Sequence, residues 1–220
     1  MFVGHYGAGF VARGLFPHVP LWVFVLAVQF LDLVWGPLVL MGVERVRIVP
    51  GVTASNPLDL FYMPYSHSLV AAVLWSLAAG VAWLVGRRGH AAAGAAMAVG
   101  VAVGSHWVLD LVVHRPDLPL FGHAAKVGLG LWDRPALALA LEVGLLVGGA
   151  AFYLRANGER RNATLVLAGL MVAAHVGGFF VLPPETPAAA AALPLAAYLC
   201  FAAAAWWIEA RPAPTAGAAA

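Results

Sequence analysis

His106, Asp110 and His114 stand four residues apart inside one helix-length apolar stretch, and Asp32, Glu142 and His175 lie inside others. Residues four apart on a helix share a face. His106 and Asp110 can therefore reach one ion together, with His114 a turn further on toward the edge of that face. Mixed imidazole and carboxylate donors suit zinc first, manganese or iron next, and an all-oxygen calcium or magnesium cage least. A charge in the middle of a spanning helix costs about 2.5–3.5 kcal/mol on insertion scales. Asp32, Asp110 and Glu142 each need a partner, a cavity or a metal. A catalytic divalent ion keeps one position for water and lowers that water's pKa toward about 7, with a nearby carboxylate as general base. Asp110 and Glu142 are the candidates for the carboxylate work.

The elements that must carry these groups are read from the apolar segmentation. The chain of 220 residues is 63% hydrophobic and 10% charged, far from the quarter charged that marks soluble domains. Spanning a bilayer takes about 20 mostly apolar residues, and the runs 20–42, 66–86, 91–114, 135–155, 162–183 and 188–209 qualify. The expected fold is an all-α, polytopic transmembrane bundle of six spans. Residues 2–16 would form a short membrane-embedded helix, folded back against the first span by the Pro17 to Pro20 break. Residues 1–210 read as a single integral membrane domain, and 211–220, rich in Pro and Ala, as a disordered tail. Gly100 with Gly104, and Gly144 with Gly148, are small-residue pairs that let helices approach closely.

Counting about 1.5 Å of rise per residue places His5, Asp32, His67, His106, Asp110, Glu142 and His175 in one layer of the membrane. His5 and Asp32 are equidistant from the proline turn, so a hairpin sets them side by side. Two long connections, 43–65 and 115–134, share one face, and the other face holds seven of the twelve basic residues. That bias favours the long loops outside and the tail in the cytoplasm.

Gly4-His5-Tyr6-Gly7, Phe30-Leu31-Asp32-Leu33, Tyr65-Ser66-His67-Ser68 and Ser105-His106-Trp107-Val108-Leu109-Asp110 together resemble the bacterial membrane-bound metal-dependent hydrolases of the YdjM-like family, in order and spacing over roughly the first 115 residues. The resemblance implies His5, Asp32, His67, His106 and Asp110 as the metal-binding set, a hydrolytic activity and a place in the bacterial cytoplasmic membrane. The chain has Leu33 and Val34 where the family often has a second acid.

Beyond that stretch, His114-Arg115-Pro116-Asp117 makes a proline-restricted turn in which Arg115 could clamp a phosphate or carboxylate beside the metal. The first functional reading is a metal-dependent hydrolase of a membrane-associated, phosphate-bearing or lipid-linked substrate. An ion or proton transporter using the same buried groups as a relay is an alternative, as is a haem protein with His106 and His175 as axial ligands, or a structural protein with no chemistry. The basic residues form no patch suited to nucleic acid. Cys200 is the only cysteine, so no intramolecular disulfide forms.

Overall fold

The computed structural model describes residues 1–87, 92–156 and 160–210. The 211–220 tail lies outside the described residues. Among the described residues, eight α-helices make up most of the chain: α1 (Gly4–Leu15), α2 (Leu21–Val28), α3 (Phe30–Leu40), α4 (Leu69–Gly86), α5 (Ala92–Val113), α6 (Pro135–Ala156), α7 (Arg161–Gly178) and α8 (Pro187–Ala210). Of these, α4, α5, α6 and α8 are long and apolar enough to cross a bilayer. The pair α2 and α3, bent by 54° at Gln29, makes a fifth if it counts as one broken span.

The sixth expected segment, 162–183, is not in that set. Its helix stops at Gly178, so Phe179 to Leu182 add apolar character to the connection and not to the helix. Arg161, Asn162 and His175 dilute what remains.

The fold is also not purely α. The two long connections each fold into an antiparallel hairpin: β1 (Arg45–Ile48) with β2 (Leu58–Tyr62), and β3 (Leu118–Phe121) with β4 (Ala124–Val127). Gly122 sits at the tip of the second with φ +51, a left-handed conformation that suits glycine. The hairpins are tied to each other. Ser55 Oγ donates to the Trp132 carbonyl oxygen at 2.6 Å, and Lys126 Nζ donates to the Phe61 carbonyl oxygen at 2.7 Å. Partial burial pushes the Lys126 ammonium below its usual pKa, against the opposing pull of Asp117 and Asp59.

The N-terminal helix α1 is inserted among the others, and its largest interface is with α6 rather than with α2. Glycine makes that possible. A Cβ on Gly149 of α6 would fall 2.7 Å from the Cα of Gly7, and one on Gly7 would fall 2.6 Å from the Leu145 carbonyl carbon. Backbone therefore touches backbone, and His5 is carried into the core. Gly100 and Gly104 face Ser76 of α4 at similarly short range, whereas Gly144 and Gly148 meet nothing within 4 Å. At the far end of the bundle, Glu209 of α8 accepts from Arg13 Nε at 3.0 Å and from the Leu21 N–H at 2.7 Å, capping α2 and closing that end.

Candidate metal centre

Three of the histidines are oriented by partners outside the cluster they face. On α5, His106 Nδ1 lies 2.7 Å from the Val28 carbonyl oxygen. A carbonyl can only accept, so Nδ1 carries the hydrogen and Nε2 presents a lone pair when the ring is neutral. His67 reaches the same tautomer by a longer route. Glu44 takes the single hydroxyl hydrogen of Ser66 at 2.5 Å, so Ser66 Oγ must accept from His67 Nδ1 at 2.8 Å. Glu44 is itself buried and also accepts the N–H groups of Tyr65 and Ser66. His114, just beyond α5, turns Nδ1 to Asp117 Oδ1 at 2.9 Å.

The three Nε2 atoms then meet two carboxylates. His106 Nε2 is 3.2 Å from Asp110 Oδ2 and 3.8 Å from Asp32 Oδ1. His67 Nε2 is 3.3 Å from Asp32 Oδ1 and 3.7 Å from Asp110 Oδ2, and His114 Nε2 is 3.4 Å from Asp110 Oδ2. His5, fully buried, stacks on His106 with ring centres 3.8 Å apart and places Nε2 3.2 Å from Asp110 Oδ1. Two trios, His5 with His106 and Asp110, and Asp32 with His67 and His106, each offer three donor atoms within 4.8 Å of one another.

This donor set fits a divalent cation. A lone pair on Nε2 facing a carboxylate oxygen is repulsive unless a proton or a metal ion stands between them, and His106 Nε2 has no hydrogen-bond partner among the described residues. Among the described residues, no Lys or Arg lines the cavity beside the cluster, and the Met1 α-amino group lies 2.5 Å from Asp110 Oδ1. Imidazoles whose Nδ1–H is held by a carbonyl, a hydroxyl or a carboxylate are the usual form of histidine ligands.

The structure thus brings together His5, Asp32, His67, His106 and Asp110. His5 and Asp32 belong to different trios, each joined to His106 rather than to one another. Glu142 lines the same cavity, but its Oε2 accepts the N–H groups of Phe2, Val3 and Gly4 at 2.7, 2.9 and 3.3 Å. It caps α1 from the side of α6. His175 Nε2 stands 3.8 Å from that same oxygen. Arg115 is not beside the cluster. It pairs with Asp59 of β2 and, at 3.2 Å, with Asp117, because two carboxylates closer to its own turn claim the guanidinium.

Two further groups escaped the sequence reading. Tyr198 of α8 donates its hydroxyl to Asp32 Oδ2 at 2.7 Å, and the Glu44–Ser66 pair orients His67. Neither has a local motif, since a tyrosine in an apolar span reads as an interfacial aromatic and Glu44 lies 22 residues from Ser66. His114 did carry a signal, the four-residue spacing from Asp110.

Compared with protein-family models, with curated proteins and with solved structures, the chain matches none.

Proposed function

We propose that this chain is a membrane-embedded, metal-dependent hydrolase, in which His5, Asp32, His67, His106 and Asp110 hold one divalent ion, zinc before manganese or iron. The observation that carries the reading is the set of imidazole Nε2 atoms turned against Asp32 and Asp110 with their Nδ1 atoms already bound elsewhere. Such an ion supplies Lewis acidity and lowers the pKa of a water toward about 7. Around it, Tyr198 steadies Asp32, the Glu44–Ser66 pair steadies His67, and Asp117 steadies His114. Arg115 works at one remove, joining the two hairpins through Asp59 and Asp117. The resemblance of its motifs to those of the YdjM-like family supports the same reading.

In this reading α7 completes a sixth span with help from its neighbours, the hairpins lie on the outer face of a bacterial cytoplasmic membrane, and the substrate is a membrane-associated, phosphate-bearing compound. The test is metal analysis of the purified protein with a visible spectrum, followed by turnover on a panel of phosphorylated lipids. Stoichiometric zinc or a similar ion, no Soret band, and turnover abolished by chelation are expected. A Soret band, or turnover without metal, overturns it.

A further inference from the structure

Asp32, His67, Asp110 and His114 of the cluster line a cavity of about 470 Å³, within the range of small-molecule sites. Its walls are mostly apolar, and its mouth can be located from exposure. Leu58 and Leu60 of the first hairpin and Trp132, in the connection after the second, line it and are buried or half-buried, and the Ser55 side chain hydrogen-bonds the Trp132 carbonyl. The lining residues that are exposed are Ala174 and Gly178 on α7, Phe179 just after it, and Leu193 on α8. The opening therefore faces sideways, between the end of α7 and the start of α8, where a bilayer and not water surrounds a spanning bundle.

Two independent features mark that opening. A Cβ on Gly178 would meet nothing within 4 Å, so there is open space beside the backbone there. Immediately beyond it, Phe179, Phe180, Val181 and Leu182 are exposed by 45, 85, 70 and 86%. Four large apolar side chains in a row have no place in water and put the lip of the opening within reach of hydrocarbon.

We propose that the cavity takes a lipid from the surrounding leaflet through the gap between α7 and α8, with its hydrocarbon chain against Gly178, Leu193 and Ala197 and its polar head toward Asp32, His67 and Asp110. This rests on the hydrolase reading for what happens to the head, but not for the binding itself. The mostly apolar walls match a chain, and Asp32, His67, Asp110 and His114 among the lining match a polar head.

The experiment uses the full chain in nanodiscs of phosphatidylethanolamine and phosphatidylglycerol, with phosphatidylglycerol carrying a diazirine in one acyl chain as the probe. Photolysis followed by peptide mass spectrometry should find adducts at Ala138, Ala190 and Ala197, which line the cavity and are buried or half-buried, in addition to those at the exposed Leu170 and Leu199. In Gly178→Leu, whose new side chain fills open space, the cavity adducts should be lost while those at Leu170 and Leu199 persist. Leu193→Trp narrows the other lip and should do the same. Adducts confined to Leu170 and Leu199 in the wild type, or cavity adducts unchanged in both variants, would overturn the lateral opening. Metal content measured on the same samples separates the two readings: cavity adducts on a protein that binds no metal leave the lipid site standing and remove the hydrolase, and metal without cavity adducts does the reverse.

Discussion

Ser66 Oγ lies 2.8 Å from His67 Nδ1 and, having given its hydrogen to Glu44, can only accept there. One serine thereby decides which nitrogen of a neighbouring histidine is available. Ser66→Ala should keep the fold, because the Tyr65 and Ser66 N–H groups still bond Glu44, while metal affinity falls roughly 10- to 100-fold, the usual cost of losing a group that orients a ligand. Competition titration against a chelator of known affinity measures this. Unchanged affinity would remove His67 from the ligand set.

The ion should be single. His106 has only Nε2 to offer, since Nδ1 is bonded to Val28, so the two trios that share it compete for one lone pair. Elemental analysis should find one divalent ion per chain, lost in Asp110→Ala and in His106→Ala. Two ions per chain would require bridging carboxylates and a different arrangement of Asp32 and Asp110.

Glu142 separates a cap from a base. Glu142→Ala strands three backbone N–H groups at the start of α1 and should cost about 1–3 kcal/mol, read as a lower midpoint in thermal unfolding in detergent. Glu142→Gln retains an accepting oxygen and should recover most of that loss. If turnover vanishes in Glu142→Gln while the unfolding midpoint and metal content hold, Glu142 is the general base after all.

Arg115→Ala should leave metal content intact, because Arg115 touches only Asp59 and Asp117 and not the ion's donors. The expected consequence is faster hydrogen exchange of the β1–β2 and β3–β4 backbones, with turnover reduced as the hairpins loosen. Metal loss equal to that of Asp110→Ala would place Arg115 within the structural support of Asp110.

At Gly149 any side chain would meet the backbone of Gly7. Gly149→Leu should therefore destabilise by at least about 1–3 kcal/mol, as overpacking does, and release metal as α1 withdraws His5. Gly148→Leu, one residue away but facing open space, is the control and should change neither.

What the sequence discloses here follows the range of its physics. The spacing of His106 and Asp110 is a property of one helix, so the pair was legible from helical geometry alone, and the shared depth of His5, Asp32 and His67 follows from the thickness that every span must match. Orientation within the layer was not legible. That His5 bonds Asp110 rather than Asp32 depends on α1 packing against α6 through Gly7 and Gly149, and the eye is drawn instead to Gly144 and Gly148, whose spacing looks right but whose faces are bare. The hairpins were hidden because strands of four or five residues leave no pattern that an apolar-run reading can separate from a loop. The reach of α7 was overestimated because hydropathy counts Phe179 to Leu182 without asking whether they are helical.

The bend at Gln29 has a thermodynamic corollary. A straight helix consumes its own carbonyls, whereas a break of 54° leaves some without an intrahelical donor, and the one at Val28 is where His106 finds its acceptor. Straightening α2 into α3 would reclaim that carbonyl and free the imidazole to turn. Under the metal-site proposal the kink and the ion would be linked variables: whatever favours the bent form would raise affinity for the ion, and by reciprocity a bound ion would stiffen the bend. A span that reads as imperfect would be a spring whose set point is written by the metal.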